Sequence, residues 1–75
     1  MKILEIESTR DIPDIIHDMR LDAKLTQGEL AIKCNVSKCA VVNYENGYQM
    51  PSIPVLIKMM RAMGIDEIRV YTKKG

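Results

Sequence analysis

The stretch that decides the fold is Thr26-Gln27-Gly28-Glu29-Leu30-Ala31-Ile32-Lys33-Cys34-Asn35-Val36-Ser37-Lys38-Cys39-Ala40-Val41-Val42-Asn43-Tyr44-Glu45-Asn46-Gly47. Thr26 is a good helix N-cap, because its hydroxyl can accept a bond from an amide of the first turn, and Glu29 three residues on completes a capping box. Leu30 and Cys34 repeat at helical spacing, Asn35-Val36 interrupts, and Ser37 offers a second N-cap before Val41 and Tyr44 resume the apolar pattern. Gly47, preceded by Asn46, supplies the positive φ that a helix end commonly needs. The spacing predicts two short helices joined by a tight corner.

Helices separated by so short a corner must cross steeply. That is the helix-turn-helix arrangement, in which the second helix is free to enter a DNA major groove. Upstream, Ser8-Thr9-Arg10-Asp11 is a capping cluster, and Pro13 is acceptable in a first turn, where its missing amide proton would find no partner anyway. A helix beginning near Asp11 places Ile12, Ile15, Ile16 and Met19 on one apolar face, with Asp14, His17, Asp18 and Asp22 mostly off it. His17 is expected at the surface. Arg20 lies at the border of the face, and its expected partner is Glu45, just before the Asn46-Gly47 helix end. The alternative is two solvated charges, which would contribute little.

Downstream of Gly47, Tyr48-Gln49-Met50-Pro51 reads as a loop, and Ser52 with Pro54 starts a fourth helix. Ile53, Leu56, Ile57, Met60 and Met63 form an expected apolar stripe that Gly64 ends. Asp66-Glu67 then turns the chain, and Ile68 to Thr72 alternates and is β-branched, as a strand would be. Met1 to Ser8, rich in Ile and Leu with charges interspersed, also reads as a strand. The expected fold is therefore mainly α, one domain over residues 1–75 with a helical core at 11–65 and short terminal strands at about 2–7 and 67–72. A two-stranded ribbon alone is marginal in water. Helices can cover it, or its free edges can pair across a dimer axis into a four-stranded sheet, which is the expectation preferred here.

Composition sets bounds on these readings. A chain of 75 residues with 47% apolar residues can bury one small core, but with no Trp or Phe and six Met the filling must come from Leu, Ile, Val and Met. Net charge is +1, so a nucleic-acid role has to rest on where the charges lie. The opening residues are broken by acids too early for a signal peptide, and no apolar run is long enough to cross a membrane, so a cytoplasmic location is expected. Cys34 and Cys39 are expected as free thiols, one buried and one exposed; with a single His17 they cannot complete a zinc shell, so no metal and no cofactor are expected. The residues offer no paired carboxylates in a cleft-forming context, no Ser-His-Asp set and no Gly-rich phosphate loop, which argues against an enzyme.

From Ile12 to Ile65 the chain resembles the helix-turn-helix family of the phage lambda and 434 repressors, the Cro-repressor or xenobiotic-response-element type. The matching features are Arg20 followed by Leu25-Thr26-Gln27, then Glu29-Leu30-Ala31, Val36-Ser37, Tyr44-Glu45-Asn46-Gly47, and Pro51-Ser52-Ile53 with Leu56, Met63 and Gly64. The resemblance implies a lambda-repressor-like bundle of four or five helices that binds double-stranded DNA as a dimer. It places Gln27 at a DNA phosphate, Ser37, Lys38, Cys39 and Asn43 where the recognition helix meets bases or backbone, Asn46 and the Gly47 amide at a phosphate clamp, and Arg20 with Glu45 as an internal pair. The chemistry agrees. Lys38 can donate to guanine or phosphate, Asn43 can pair two-pronged with adenine, and the short Cys39 and Ala40 permit close approach to a thymine methyl. Two departures stand out: the loop Tyr48-Gln49-Met50 lacks the Lys or Arg common in relatives, and Val42 stands where a polar group is commoner. The function implied is a dimeric regulator on an inverted-repeat operator. The alternative is an antitoxin, since the C-terminal strand resembles that of antitoxins that dimerise through a terminal sheet and bind a toxin protein.

Overall fold

A computed structural model describes residues 3–6 and 12–70, with side chains for 12–67. Within them the chain runs β1 (Ile3–Ile6), α1 (Ile12–Asp22), α2 (Gln27–Cys34), α3 (Lys38–Asn46), α4 (Ile53–Ala62) and β2 (Glu67–Val70). The capping cluster expected at 8–11 and the end of the last strand at Thr72 lie outside the described residues.

Each helix of the central pair is set by local chemistry. Thr26 Oγ1 accepts from the Glu29 amide at 3.0 Å, and Glu29 Oε1 accepts from the Thr26 amide at 2.9 Å, so two amides without helical partners are satisfied reciprocally. The Thr26 amide bond also holds the Glu29 carboxyl below its ordinary pKa. At the other end of α2, Asn35 takes the left-handed conformation at φ 56°, and the Val36 amide reaches back to the Ala31 carbonyl at 3.0 Å. Asn tolerates that conformation better than most residues with a side chain, which makes the corner short. Ser37 Oγ then accepts from the Ala40 amide at 3.0 Å and starts α3, and Gly47 ends it at φ +77°.

The core draws on all four helices. Ile12 and Ile16 come from α1, Leu30, Ala31 and Cys34 from α2, Val41 and Tyr44 from α3, and Leu56, Met59 and Met60 from α4, with Met63 and Ile65 closing the end. Burying one such aliphatic side chain fully contributes about 1.5–3 kcal/mol, so this set is what holds α2 and α3 at their angle. Cys34 is buried and Cys39 exposed, both as free thiols; burial pushes the Cys34 thiol up, which keeps it protonated and unreactive.

The stripe expected on α4 is corrected in its phase. Ile53 is 69% exposed and Ile57 39% exposed, whereas Met59, absent from the expected stripe, is fully buried. The buried positions 56, 59, 60 and 63 follow the three- and four-residue steps of a single helix face. Ile53, Pro54, Val55, Leu56, Ile57, Met59 and Met60 are apolar nearly all round the helix, so packing against α2 and not periodicity decides which side turns inward.

β1 and β2 pair in parallel, Ile3 opposite Glu67, Leu4 opposite Ile68, Glu5 opposite Arg69 and Ile6 opposite Val70. Parallel neighbours require a crossover, and here the whole helical set provides it. The sheet has two strands among the described residues, so each strand has one edge without a strand beside it.

Candidate nucleic-acid interface

Helical geometry puts Lys38, Cys39, Val42, Asn43 and Asn46 on one side of α3, and Val41 and Tyr44, both buried, on the other. The inward side fixes the helix in the core while the outward side remains available. Lys38, Cys39 and Asn46 are exposed, and Asn43 and Val42 are half-buried. Asn43 Nδ2 approaches Cys39 Sγ at 3.9 Å, one turn away, a weak contact that steers the amide along the outer face. Ser37 is exposed at the start of the helix; its oxygen is used in the cap, which leaves its hydroxyl proton to donate elsewhere.

Gln27 and Lys38, eleven positions apart, line one open groove together with Lys24, Leu21, Leu25, Thr26, Gly28 and Arg20. The groove runs from the end of α1 across the N-terminus of α2 to the first residue of α3. It joins the helix-start amides, an amide side chain and two lysines on one surface, a combination suited to a phosphate backbone. No motif in the sequence marks Lys24. It holds a left-handed conformation, φ 59°, at the end of α1, a placement that no spacing rule reveals.

The far end of α3 is tied down by charge. Glu45 accepts from Arg20 Nε at 2.7 Å and from Arg20 Nη2 at 3.1 Å, while Arg20 Nη1 donates to the Leu25 carbonyl at 2.9 Å. Both side chains are buried, at 9% and 4% exposure, so the solvated alternative does not hold in this geometry. Burial alone would raise the Glu45 carboxyl, but hydrogen bonds from Arg20 and His17 outweigh it and keep the group below its ordinary pKa.

His17 is exposed, as expected, but it is more than a solvated side chain. Its Nδ1 lies 2.7 Å from Glu45 Oε1, so α1 sends two groups to the same carboxylate. The carboxylate accepts, which assigns the proton to Nδ1 as donor. Its position one turn before Arg20 was the available signal; that the two share an acid required the α1–α3 packing.

At the expected phosphate clamp the two members differ. The Asn46 side chain is exposed, whereas the Gly47 amide donates within the chain to the Tyr44 carbonyl at 3.3 Å. Gly47 thus acts first through its backbone conformation. A Cβ there would meet the Pro13 ring at 3.7 Å, so the start of α1 lies directly beside the end of α3.

Among the described residues, no helix is long and apolar enough to cross a membrane.

A family model described as helix-turn-helix matches residues 16–69. The chain is 37% identical over 51 residues to multiprotein-bridging factor 1c of Arabidopsis thaliana, covering 68% of this chain and 34% of that protein. It is 36% identical over 59 residues to vegetative-specific protein H7 of Dictyostelium discoideum, covering 79% of this chain and 57% of that one. The chain thus spans between a third and somewhat over half of the length of these relatives. Among solved structures, the wild-type restriction-modification controller protein C.Esp1396I superposes with a TM-score of 0.72 at 22% identity, over 77% of this chain and 76% of the other. The hypothetical transcription factor NHTF from Neisseria superposes with a TM-score of 0.64 at 23% identity, over 88% and 79%. At such identities the structural likeness is one of fold. The sequence match is of another kind: it runs from the middle of α1 into β2, well over half of the chain, and by it the protein belongs to the Cro/C1-type helix-turn-helix family of DNA-binding regulators.

Proposed function

We propose that the protein is a sequence-specific transcriptional regulator that binds an inverted-repeat operator as a dimer, with α3 in the major groove. The observation that carries this reading is the outward side of α3, where Lys38, Cys39, Val42, Asn43 and Asn46 stand on a helix whose other side is locked in the core. In this role Asn43 reads adenine through N6 and N7, and Lys38 donates to guanine or to a phosphate. Cys39 and Val42 lie against thymine methyl groups, which gives the apolar Val42 a use on an otherwise polar surface. Gln27, Lys24, Ser37 and Asn46 contact the backbone.

The near-neutral chain supports modest affinity with a shallow salt dependence, because each neutralised phosphate contributes only about −0.9 to the slope of log affinity against log salt. Dimerisation through the unaccompanied edges of the β1–β2 ribbon would join two ribbons into one sheet. It would set the two α3 helices about 34–36 Å apart, or a multiple of that, to match half-sites on one face of the duplex. The antitoxin reading uses the same edges for a second protein, and a polypeptide co-purifying in fixed ratio would favour it.

Two variants separate base reading from anchoring. Asn43→Ala is expected to lose about 1–3 kcal/mol of discrimination at one base pair, whereas Gln27→Ala weakens binding to all duplexes alike. Competition binding against single-base operator variants measures both. An Asn43→Ala protein with unchanged sequence preference would remove Asn43 from the recognition surface.

A further inference from the structure

We propose that His17 is a further DNA-backbone contact, one that takes up a proton as the duplex binds; the inference rests on the reading of α3 and Asn46 given above. Three observations place it. His17 is held to Glu45 at 2.7 Å through Nδ1, and the side chain is still 48% exposed, so the ring is fixed without being covered. Glu45 immediately precedes Asn46, the residue assigned to a phosphate at the end of α3. Pro13, one helical turn before His17, lies against Gly47, so this side of α1 runs along the same end of α3.

The charge balance of the cluster explains why binding would draw a proton. Arg20 and Glu45 neutralise each other. With Nδ1 as donor to Glu45, the neutral ring carries its acceptor at Nε2, on the far side of the ring, which cannot donate to a phosphate. Protonation turns Nε2 into a donor, but it places a second cation where Arg20 Nη2 is only 3.4 Å from Nδ1. Glu45 faces His17 from α3, which packs on α1; on α1 itself Arg20 lies beside the ring, and helix spacing sets Asp14 three positions before it. Glu45 is already matched by Arg20. A phosphate at Asn46 supplies the missing negative charge, so the protonated ring is favoured in the complex more than in the free protein.

His17 is the single histidine of the chain, which makes the test selective. The experiment measures affinity of the full chain for its selected duplex between pH 8 and 6, at several salt concentrations, for the wild type, His17→Gln and His17→Lys. Circular dichroism over the same range checks that all three stay folded. Glutamine keeps a donor for Glu45 but does not titrate here; lysine is charged throughout. Wild-type affinity should rise as pH falls from 8 to 6, by no more than about tenfold per pH unit, the limit for one linked proton. His17→Gln should stay at the high-pH level and His17→Lys near the low-pH level. At pH 6 the wild type should show a salt slope steeper than that of His17→Gln by about 0.9, the signature of one extra phosphate. Parallel pH profiles and equal salt slopes for wild type and His17→Gln would overturn the proposal while leaving DNA recognition by α3 intact. Failure of the wild type to bind any duplex would overturn both.

Discussion

Glu45→Ala is expected to lower folding stability by about 3–5 kcal/mol, because it leaves the Arg20 guanidinium buried without its counter-charge. The loss is large against the roughly 5–15 kcal/mol that holds a typical domain together. Arg20 donates twice to Glu45 and once to the Leu25 carbonyl, so one of these contacts survives the substitution. Urea titration followed by circular dichroism measures the effect. Glu45→Gln keeps an acceptor and should lose less, and Arg20→Met combined with Glu45→Leu should recover much of the loss, since two apolar groups need no pairing. A Glu45→Ala loss below about 1 kcal/mol would show that water reaches the pair.

The same pair gives stability a direction in pH. The Glu45 carboxyl is held below its ordinary value in the fold, by hydrogen bonds that outweigh the opposing effect of burial. The unfolded chain therefore binds the proton more readily than the folded one. The contribution is present above the ordinary carboxylate range and is lost as pH falls through the folded value, so wild-type stability should fall in acid more steeply than that of Glu45→Gln.

Met59→Ala is expected to cost about 2–5 kcal/mol, as a large buried side chain is replaced by a cavity. Ile53→Ala, on the same helix, should change stability by no more than about 0.5 kcal/mol, because Ile53 is 69% exposed. Thermal or urea unfolding of the two variants side by side measures the rotational setting of α4. Equal losses would mean that Ile53 is covered.

That contrast shows where sequence reading succeeds and where it stops. The Thr26 box, the Ser37 cap and the Gly47 helix end are local: each joins residues within a few positions, and each is seen in the bonds of the fold. The inward residues of α3 were legible because Val41 and Tyr44 lie three positions apart while Lys38, Asn43 and Asn46 mark the opposite side, although the apolar Val42 also stands there. On α4 the apolar residues surround the axis, and the choice of side belongs to α2. His17 illustrates a second limit. Its own neighbours on α1 are charged, which argues for solvent, and the carboxylate it meets lies 28 positions away. Lys24 is a third case: it joins Gln27 and Lys38 only because the chain turns back at a left-handed residue. The candidate site was legible where helix phase decides exposure and illegible where two helices bring residues together.

If the outward side of α3 reads DNA sequence, the protein must select particular duplexes. The most direct measurement is selection of bound duplexes from a random pool, with wild type and Asn43→Ala in parallel. The expected result is an enriched motif of two-fold symmetry, its half-sites centred about 10–10.5 base pairs apart or a multiple of that, in which Asn43→Ala loses preference at one position of each half-site. A wild-type pool that stays as random as its input, or an Asn43→Ala motif identical to that of the wild type, would contradict it.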